Sequence, residues 1–338
     1  MAEVPLISTT APSASADSGE CVIAALQMKY RRSHDERGSA LRGPSVLESF
    51  NPWLGRLAHA CARRLDGLND EDLLSLSTPS AEGRPRYGYG RPQHARIRTY
   101  LDRFRHAYSA DLEAIKTYQE ELLRIPLRPT APGQPCWING WLLGLDTASL
   151  YTTVRSIAPA RYFEVGSGWS TLTVAQARAD GSLPTQIVSI DPKPRTDVDE
   201  ACNRVIRVPF ELAAGELIET VAPGDVIFFD CSHRVFSGSD VTVFYLEVMP
   251  ELPDGVVVGV HDILWPEDYP PEWRNRWYSE QYILGAYMIA EAPWIRPRLA
   301  CNYASSDPEL ARILAPFWAL LPGVDPRGFT FWFESRRK

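Results

Sequence analysis

The clearest periodic signal lies between residues 95 and 124. Apolar side chains fall at Ile97, Leu101, Phe104, Tyr108, Leu112, Ile115, Tyr118 and Leu122, in steps of three and four. That spacing draws one stripe along a 3.6-residue repeat and predicts a long amphipathic helix over 95–124. An earlier stripe through Leu54, Leu57, Ala58, Cys61 and Leu65 opens after Asn51 and Pro52, an N-cap followed by a first-turn proline. Residues 77–94 are rich in proline and glycine and read as a loop. The long helix is expected to stop before Pro126, and a proline-rich stretch runs from there to Pro135.

From residue 136 the rhythm changes. Short β-rich runs recur at 161–166, 186–191, 225–230, 255–262, 296–304 and 328–334. Helical stretches fall between them at 170–179, 197–204, 239–251, 276–291 and 307–320. Alternation of this kind predicts an α/β fold with a doubly wound, mostly parallel sheet. The last two runs leave room for an antiparallel edge. The expected organisation is a disordered tail over 1–20, a helical region over 21–130 and an α/β domain over 131–338.

Composition narrows the partners. Lys+Arg 35 against Asp+Glu 42 leaves a net charge of −7, which argues against a broad nucleic-acid footprint. Arg96, Arg98, Arg103 and Arg105 interleave with acids along the long helix and read as a solvated face. No apolar run approaches the ~18 residues of a membrane span. The first residues lack a basic n-region and a long apolar h-region, so a cytoplasmic location is expected. Cys21, Cys61, Cys136, Cys202, Cys231 and Cys301 form no CxxC pair and are expected to be reduced thiols.

Candidate chemistry concentrates in residues 162–171, YFEVGSGWST. A strand ends at Val165, Gly166 and Gly168 make a tight turn, and a helix begins near Ser170. Thr171 stands where a third glycine would complete a dinucleotide fingerprint, and no P-loop lysine follows. Asp191 ends the next strand, about twenty residues on, where a carboxylate suits the two hydroxyls of a ribose. Glu164 adds a second acid beside the turn. Acids here suit a nucleoside with a cationic end better than a pyrophosphate. Residues 206–210 fall near a third strand.

FEVGSGWST, SIDPKP, GDVIFFDCSH and GVVVGVHDILWPEDYPPEW, in that order, resemble the class I S-adenosylmethionine-dependent methyltransferases. The likeness is greatest to the small-molecule O-methyltransferase branch with a DSSH-type turn and an HDI-type strand end. It spans about residues 137–338 and leaves 1–130 untouched. It implies a seven-stranded Rossmann-like sheet whose last strand is antiparallel. It also implies S-adenosyl-L-methionine as methyl donor (EC 2.1.1.-) and a small-molecule acceptor, with a hydroxyl as the receiving group. Neither nucleic acid nor membrane is an expected partner. Glu164, Gly166, Ser167, Gly168, Asp191 and Asp230 take the cofactor-binding positions. The helical N-terminal region becomes a substrate cover or a homodimer contact.

Methyl transfer to a hydroxyl needs the acceptor on the axis of the breaking bond and a route for its proton. Asp230 ends the fourth run, His233 follows three residues later, and His261 and Asp262 end the fifth. Resemblance to catechol-type O-methyltransferases implies that Asp230 and Asp262 hold Mg2+ or another divalent cation, with His261 a further ligand. It places His233 where a base, often lysine in that family, takes the proton. The expected catalytic set is His233, Asp230 and His261. One histidine with two aspartates also suits Fe2+ or Mn2+. Neighbours on a strand point to opposite faces, so His261 and Asp262 share a pocket only if the chain turns there. Trp265, Tyr269, Trp273 and Trp277, among prolines 266, 270 and 271, read equally as an acceptor lid or as packing. Glu280 is a further acid near them. Two other readings stand beside the enzyme: a binding module that keeps the cofactor without turnover, and a nicotinamide-dependent oxidoreductase, which the missing third glycine disfavours.

Overall fold

Largely apolar strands build the sheet. The computed structural model describes residues 84–336; the expected tail, the helix opening at Pro52, and Cys21 and Cys61 lie outside the described residues. Seven strands, β1 (Arg161–Val165), β2 (Gln186–Ile190), β3 (Arg204–Ile206), β4 (Val226–Phe229), β5 (Val257–Val260), β6 (Ile295–Ala300) and β7 (Phe331–Ser335), form one sheet in the order β3-β2-β1-β4-β5-β7-β6. The first five are parallel, and β7 runs antiparallel to both β5 and β6. This is the mostly parallel Rossmann-like sheet expected from the sequence. Every residue of β4 and β5 is buried, as strands covered on both faces require. At Gly259 a Cβ would meet the Trp332 ring at 2.6 Å, so a glycine lets β7 bring that indole against β5.

The long apolar stripe is buried as expected, but on three helices instead of one: α1 (Ala95–Asp102), α2 (Arg105–Thr117) and α3 (Gln119–Arg124). The helical geometry lapses at Phe104 and Tyr118, where φ opens to −106° and −108°. These helices lie in the same compact unit as the sheet, which runs from Glu82 to Lys338. The rings of Tyr108 and Tyr303 meet edge to face. The basic face is paired within the fold: Arg98 with Asp102, Arg103 with Glu291, and Arg105 with Asp307 at 2.5 Å. The proline-rich stretch after Pro126 is tied back by hydrogen bonds from Trp137 N to Pro126 O and from Ile138 N to Leu127 O.

Two helices carry no legible stripe. α4 (Gly144–Ile157) is buried along most of its length, with Asp146, Thr147, Ser149 and Thr152 inside, so no polar face alternates with an apolar one. After α5 (Trp169–Asp180), the stretch read as a helix over 197–204 shrinks to a 3-10 turn at Asp199–Ala201. α6 (Phe210–Thr220) then fills a segment in which no helix was expected. The expected helix at 239–251 is irregular: α7 (Asp240–Val243), a π-turn (Phe244–Val248) and a 3-10 turn (Met249–Glu251). α8 (Glu280–Ile289), α9 (Cys301–Ser306) and α10 (Pro308–Trp318) complete the layers. Cys136, Cys202, Cys231 and Cys301 are free thiols. Among the described residues no helix is long and apolar enough to cross a membrane.

Candidate active site

The strand order reverses between β1 and β4, and ligands of such sheets bind beyond the carboxyl ends at that point. There the β1–α5 turn crosses the end of β4. Gly166 has φ +81°, and a Cβ on it would lie 1.7 Å from the carbonyl oxygen of Asp230. No other residue fits that contact. Gly168 differs: its φ of 175° is extended backbone and the space beside it is open, so the turn does not demand glycine there. Ser167 N donates to Asp191 Oδ2 at 2.7 Å, and Lys193 N donates to Oδ1 at 2.7 Å. The carboxylate at the end of β2 therefore locks the turn at the end of β1.

Glu164 was expected at the cofactor pocket. Its side chain instead lies fully buried beneath the turn, accepting from Tyr162 Oη at 2.9 Å and from the Thr171 hydroxyl. Thr171 Oγ1 in turn accepts from Gly168 N at 3.0 Å. Glu164 thus supports the turn from below and does not line the cavity. Burial raises its pKa to about 7, against three hydroxyl hydrogen bonds that lower it. The folded chain then keeps a proton that an unfolded glutamate loses above its ordinary value of 4.5. The resulting stability is full below that value and is lost as the pH rises through about 7, on the order of 3 kcal/mol. Glu164→Gln is expected to flatten this part of the stability curve. Urea denaturation of both proteins at about pH 5 and pH 8 checks it; parallel losses in the two would contradict the assignment.

Above the turn is a cavity of about 320 Å3 lined by Gly166, Ser167, Asp191, Arg195, Phe210 and Asp230, among others. That volume is within the ~300–1,000 Å3 of small-molecule sites. Phe210, at the start of α6, packs edge to face on Phe229 of β4, which fixes its ring at the cavity wall. Cys231, Ser232, Lys193 and Asp240 also line it; nothing in their spacing had singled them out.

A charged cluster adjoins the cavity at the ends of β4 and β5. His233 is 1% exposed, with Nε2 3.0 Å from Asp230 Oδ1 and 3.5 Å from Asp262 Oδ2. Its Nδ1 lies 2.8 Å from Glu280 Oε2, at the start of α8. Both His233 and Asp262 have left-handed backbone, φ +59° and +55°, a conformation uncommon outside glycine that clusters at functional sites. The turn at Asp262 breaks strand alternation, so His261 and Asp262 do reach the same place. His261 Nδ1 is 3.3 Å from Asp230 Oδ1 and 3.6 Å from Asp262 Oδ1, and Nε2 is 3.5 Å from Asp146 Oδ2. These are ion-pair distances without hydrogen-bond alignment, and neither His261 nitrogen has a hydrogen-bond partner.

The electrostatics follow from this packing. Burial works against a charge on His233, but its hydrogen bonds to Asp230 and Glu280 outweigh it and raise the ring to about 10. Burial likewise opposes charge on His261, and Asp262 and Asp230 overcome it, upward. For Asp230, burial alone would raise the carboxyl; the two rings beside it hold it well below the usual range. In the metal-free chain these contacts favour a proton on each His233 nitrogen, and the ring must give up the one on Nε2 to act as a base or to hold a cation. Among the described residues two sets of donor atoms lie within 4.8 Å of one another, Asp230 with His233 and Asp262, and Cys231 with His233 and Glu280; His261 Nδ1 stands 3.3 and 3.6 Å from the same two aspartates.

Residues 163–263 match the family model described as a methyltransferase domain. The chain carries a methyltransferase domain. The match bears out the class I resemblance carried by the four sequence motifs. In structure the chain is similar to the SAH-bound methyltransferase PaMTH1 of Podospora anserina, at 19% identity over 57% of this chain and 78% of that one, TM-score 0.35. It is also similar to an O-methyltransferase from Bacillus cereus in complex with SAH, at 12% identity over 68% and 91%, TM-score 0.34. A third likeness is to cofactor-bound Rv0187 from MTB, at 15% identity over 61% and 89%, TM-score 0.32. No curated protein matches the sequence.

The aromatic segment that follows the methyltransferase match divides its work. Trp265 and Tyr269 are buried, and Trp265 Nε1 donates to Gln281 O at 2.5 Å, so these two are packing. Tyr278 lies on His233, ring centroids 4.5 Å apart, and meets Trp273 edge to face. Trp137 packs against Phe317 and Trp318, whereas Trp141 is 51% exposed and carries the Arg195 guanidinium 4.2 Å above its ring. Asp146 had no sequence signal. It accepts from Phe329 N, Thr330 N and Thr330 Oγ1 at 2.7–2.8 Å, binding α4 to the start of β7 beneath His261.

Proposed function

We propose that the methyltransferase domain uses S-adenosyl-L-methionine to methylate a hydroxyl of a small molecule, with a divalent cation held beside the acceptor. The observation that carries this reading is Asp191, a cavity-lining carboxylate at the end of β2, locked to the Gly166–Ser167 turn. Each of its oxygens accepts one backbone N–H and keeps lone-pair capacity for a ribose hydroxyl. The residues also fit a cation. Asp230, Asp262 and His233 offer two carboxylate oxygens and one imidazole nitrogen, a set that N/O-binding dications accept. Such a cation supplies charge that lowers the acceptor hydroxyl's pKa, so its proton leaves at neutral pH without a dedicated base.

The chain's own groups position the reactants. The turn fixes the nucleoside end; Phe210 gives an apolar wall; Asp230, shared by the cavity and the charged cluster, sets where the two reactants meet. Tyr278 and Trp273 offer an aromatic side to a planar acceptor. In-line transfer gains most from such placement. The test is calorimetric titration of S-adenosylhomocysteine into the full chain. Asp191→Ala is expected to weaken binding by about 5- to 150-fold, the loss of ~1–3 kcal/mol of hydrogen bonding. Unchanged affinity removes Asp191 from the site; no heat from the unaltered chain overturns the reading.

A further inference from the structure

We infer that the acceptor carries an anionic group, a carboxylate on a planar ring, and that the Arg276 guanidinium holds it. The inference rests on the methyl-transfer reading and names the class of its acceptor. Arg276 closes the 3-10 turn Pro271–Arg276, and Trp277 after it has left-handed backbone, φ +57°. A 3-10 turn has three residues per turn, so side chains at i and i+3 eclipse. Trp273 and Arg276 are spaced in that way, and the guanidinium carbon lies 4.3 Å from the Trp273 ring centroid. The reversal at Trp277 brings the Tyr278 ring to the same cation, at 5.6 Å. Arg234, in the turn after β4, fixes the backbone here: its Nε donates to Arg276 O at 3.0 Å.

Arg276 is half-buried, yet among the described residues no carboxylate pairs with it. Other guanidinium groups of the fold are closed by an acid, as Arg105 is by Asp307 and Arg327 by Asp325. The strand-end acids Asp230 and Asp262 are themselves faced by His233 and His261. A guanidinium that rests on aromatic rings uses its face there and keeps its fork of N–H donors, which matches a carboxylate in bidentate fashion.

Its position relative to the charged cluster supplies the rest. Tyr278 lies on His233 with ring centroids 4.5 Å apart, so Arg276 stands two ring contacts from that imidazole. Burial, then Asp262, push the pKa of the Tyr278 hydroxyl up, and Arg276 pulls it down. One phenol thus feels the strand-end acids and the guanidinium together. A planar acceptor laid along Tyr278 and Trp273 points one end at Asp230 and Asp262 and the other at Arg276, with its hydroxyl at the first and its anion at the second. Arg195 also stands near the cluster, but it lines the cavity beside Asp191, rests on Trp141 and lies 3.9 Å from Asp230 Oδ2. It belongs to the donor side.

The probes are 3,4-dihydroxybenzoate and its methyl ester, which share ring and hydroxyls and differ in charge. Each is titrated by calorimetry into the full chain saturated with S-adenosylhomocysteine and MgCl2, so that the carboxylate of the donor is already in place. The acid is expected to bind at least about tenfold more tightly than the ester, the scale of a hydrogen bond to a charged group. That advantage is expected to shrink as salt is added. Arg276→Met, which keeps an unbranched stem over the rings, is expected to weaken binding of the acid by about 10- to 100-fold and to abolish the preference, in a protein with native circular dichroism. A preference below tenfold in the unaltered chain, no binding of either probe, or a folded Arg276→Met that still prefers the acid would each overturn the inference. If the variant does not fold, the comparison of acid with ester in the unaltered chain, and its response to salt, decide alone. Heat from S-adenosylhomocysteine without preference for the acid overturns the anionic acceptor and leaves the methyl-transfer reading; no heat from S-adenosylhomocysteine overturns that reading as well.

Discussion

Gly166→Ala is expected to abolish S-adenosylhomocysteine binding. The added methyl would stand 1.7 Å from the Asp230 carbonyl oxygen and 2.8 Å from its carbon, both inside any real contact distance. The neighbour is backbone, not the end of a flexible side chain, so relief requires the ends of β1 and β4 to separate. Those ends are joined by the hydrogen bond from Asp230 N to Val165 O, and Gly166 N donates to Ile190 O on the other side. A φ of +81° adds a further ~1–2 kcal/mol for any side chain. Overpacking typically adds ~1–3 kcal/mol. The displacement moves Ser167 away from Asp191 and shifts Asp230, so cavity and charged cluster fail together. Calorimetry with the variant, alongside its urea midpoint, reads both effects. Native affinity in a native fold would show that the turn does not shape the cavity.

Asp230→Asn is expected to cost about 3–5 kcal/mol of stability at neutral pH in the metal-free chain, the usual penalty for breaking a buried charge pair from one side. The amide keeps the size of the side chain and one acceptor oxygen. What it removes is the negative charge between His233 and His261, both of which the structure keeps protonated. The sign with pH follows. Asp230 has a folded pKa held below its unfolded value, so its contribution is present above about pH 4 and is lost as the pH falls. Wild type and variant should therefore converge in acid. Under the proposed function, the same change is expected to eliminate methyl transfer. Denaturant midpoints that coincide at neutral pH would mean that the two rings are not charged as described.

Much of this site was legible because its parts are local. A strand, a glycine turn and a helix lie within ten residues at 162–171, and aspartates close three apolar runs at 191, 230 and 262. Alternation and turn chemistry act over a few residues, so they survive in a bare sequence. Roles were harder than positions. His233 was placed at the site and read as a base, because three residues of spacing from Asp230 say nothing of the second carboxylate against its other nitrogen. Glu280, 47 positions away, was noticed only as an acid near an aromatic segment. Glu164 was assigned to the pocket from its strand position, while its partners Tyr162 and Thr171 draw it below the turn.

By itself the chain determined the alternation that makes a doubly wound sheet, a glycine turn after its first strand, and which acids stand at strand ends. These follow from side-chain size and backbone freedom, which each residue carries with it. Tertiary structure alone decided which charges meet. Asp146 comes under His261 through a helix with no polar face to betray it, and Glu280 reaches His233 because α8 starts against the turn after β4. His261 and Asp262 converge because the chain turns left-handed as β5 ends. Pairings of this kind depend on strand order and on burial shared between distant segments. Inside such a core, water no longer screens each group separately, so the charge a residue holds is set by neighbours that the order of residues does not name.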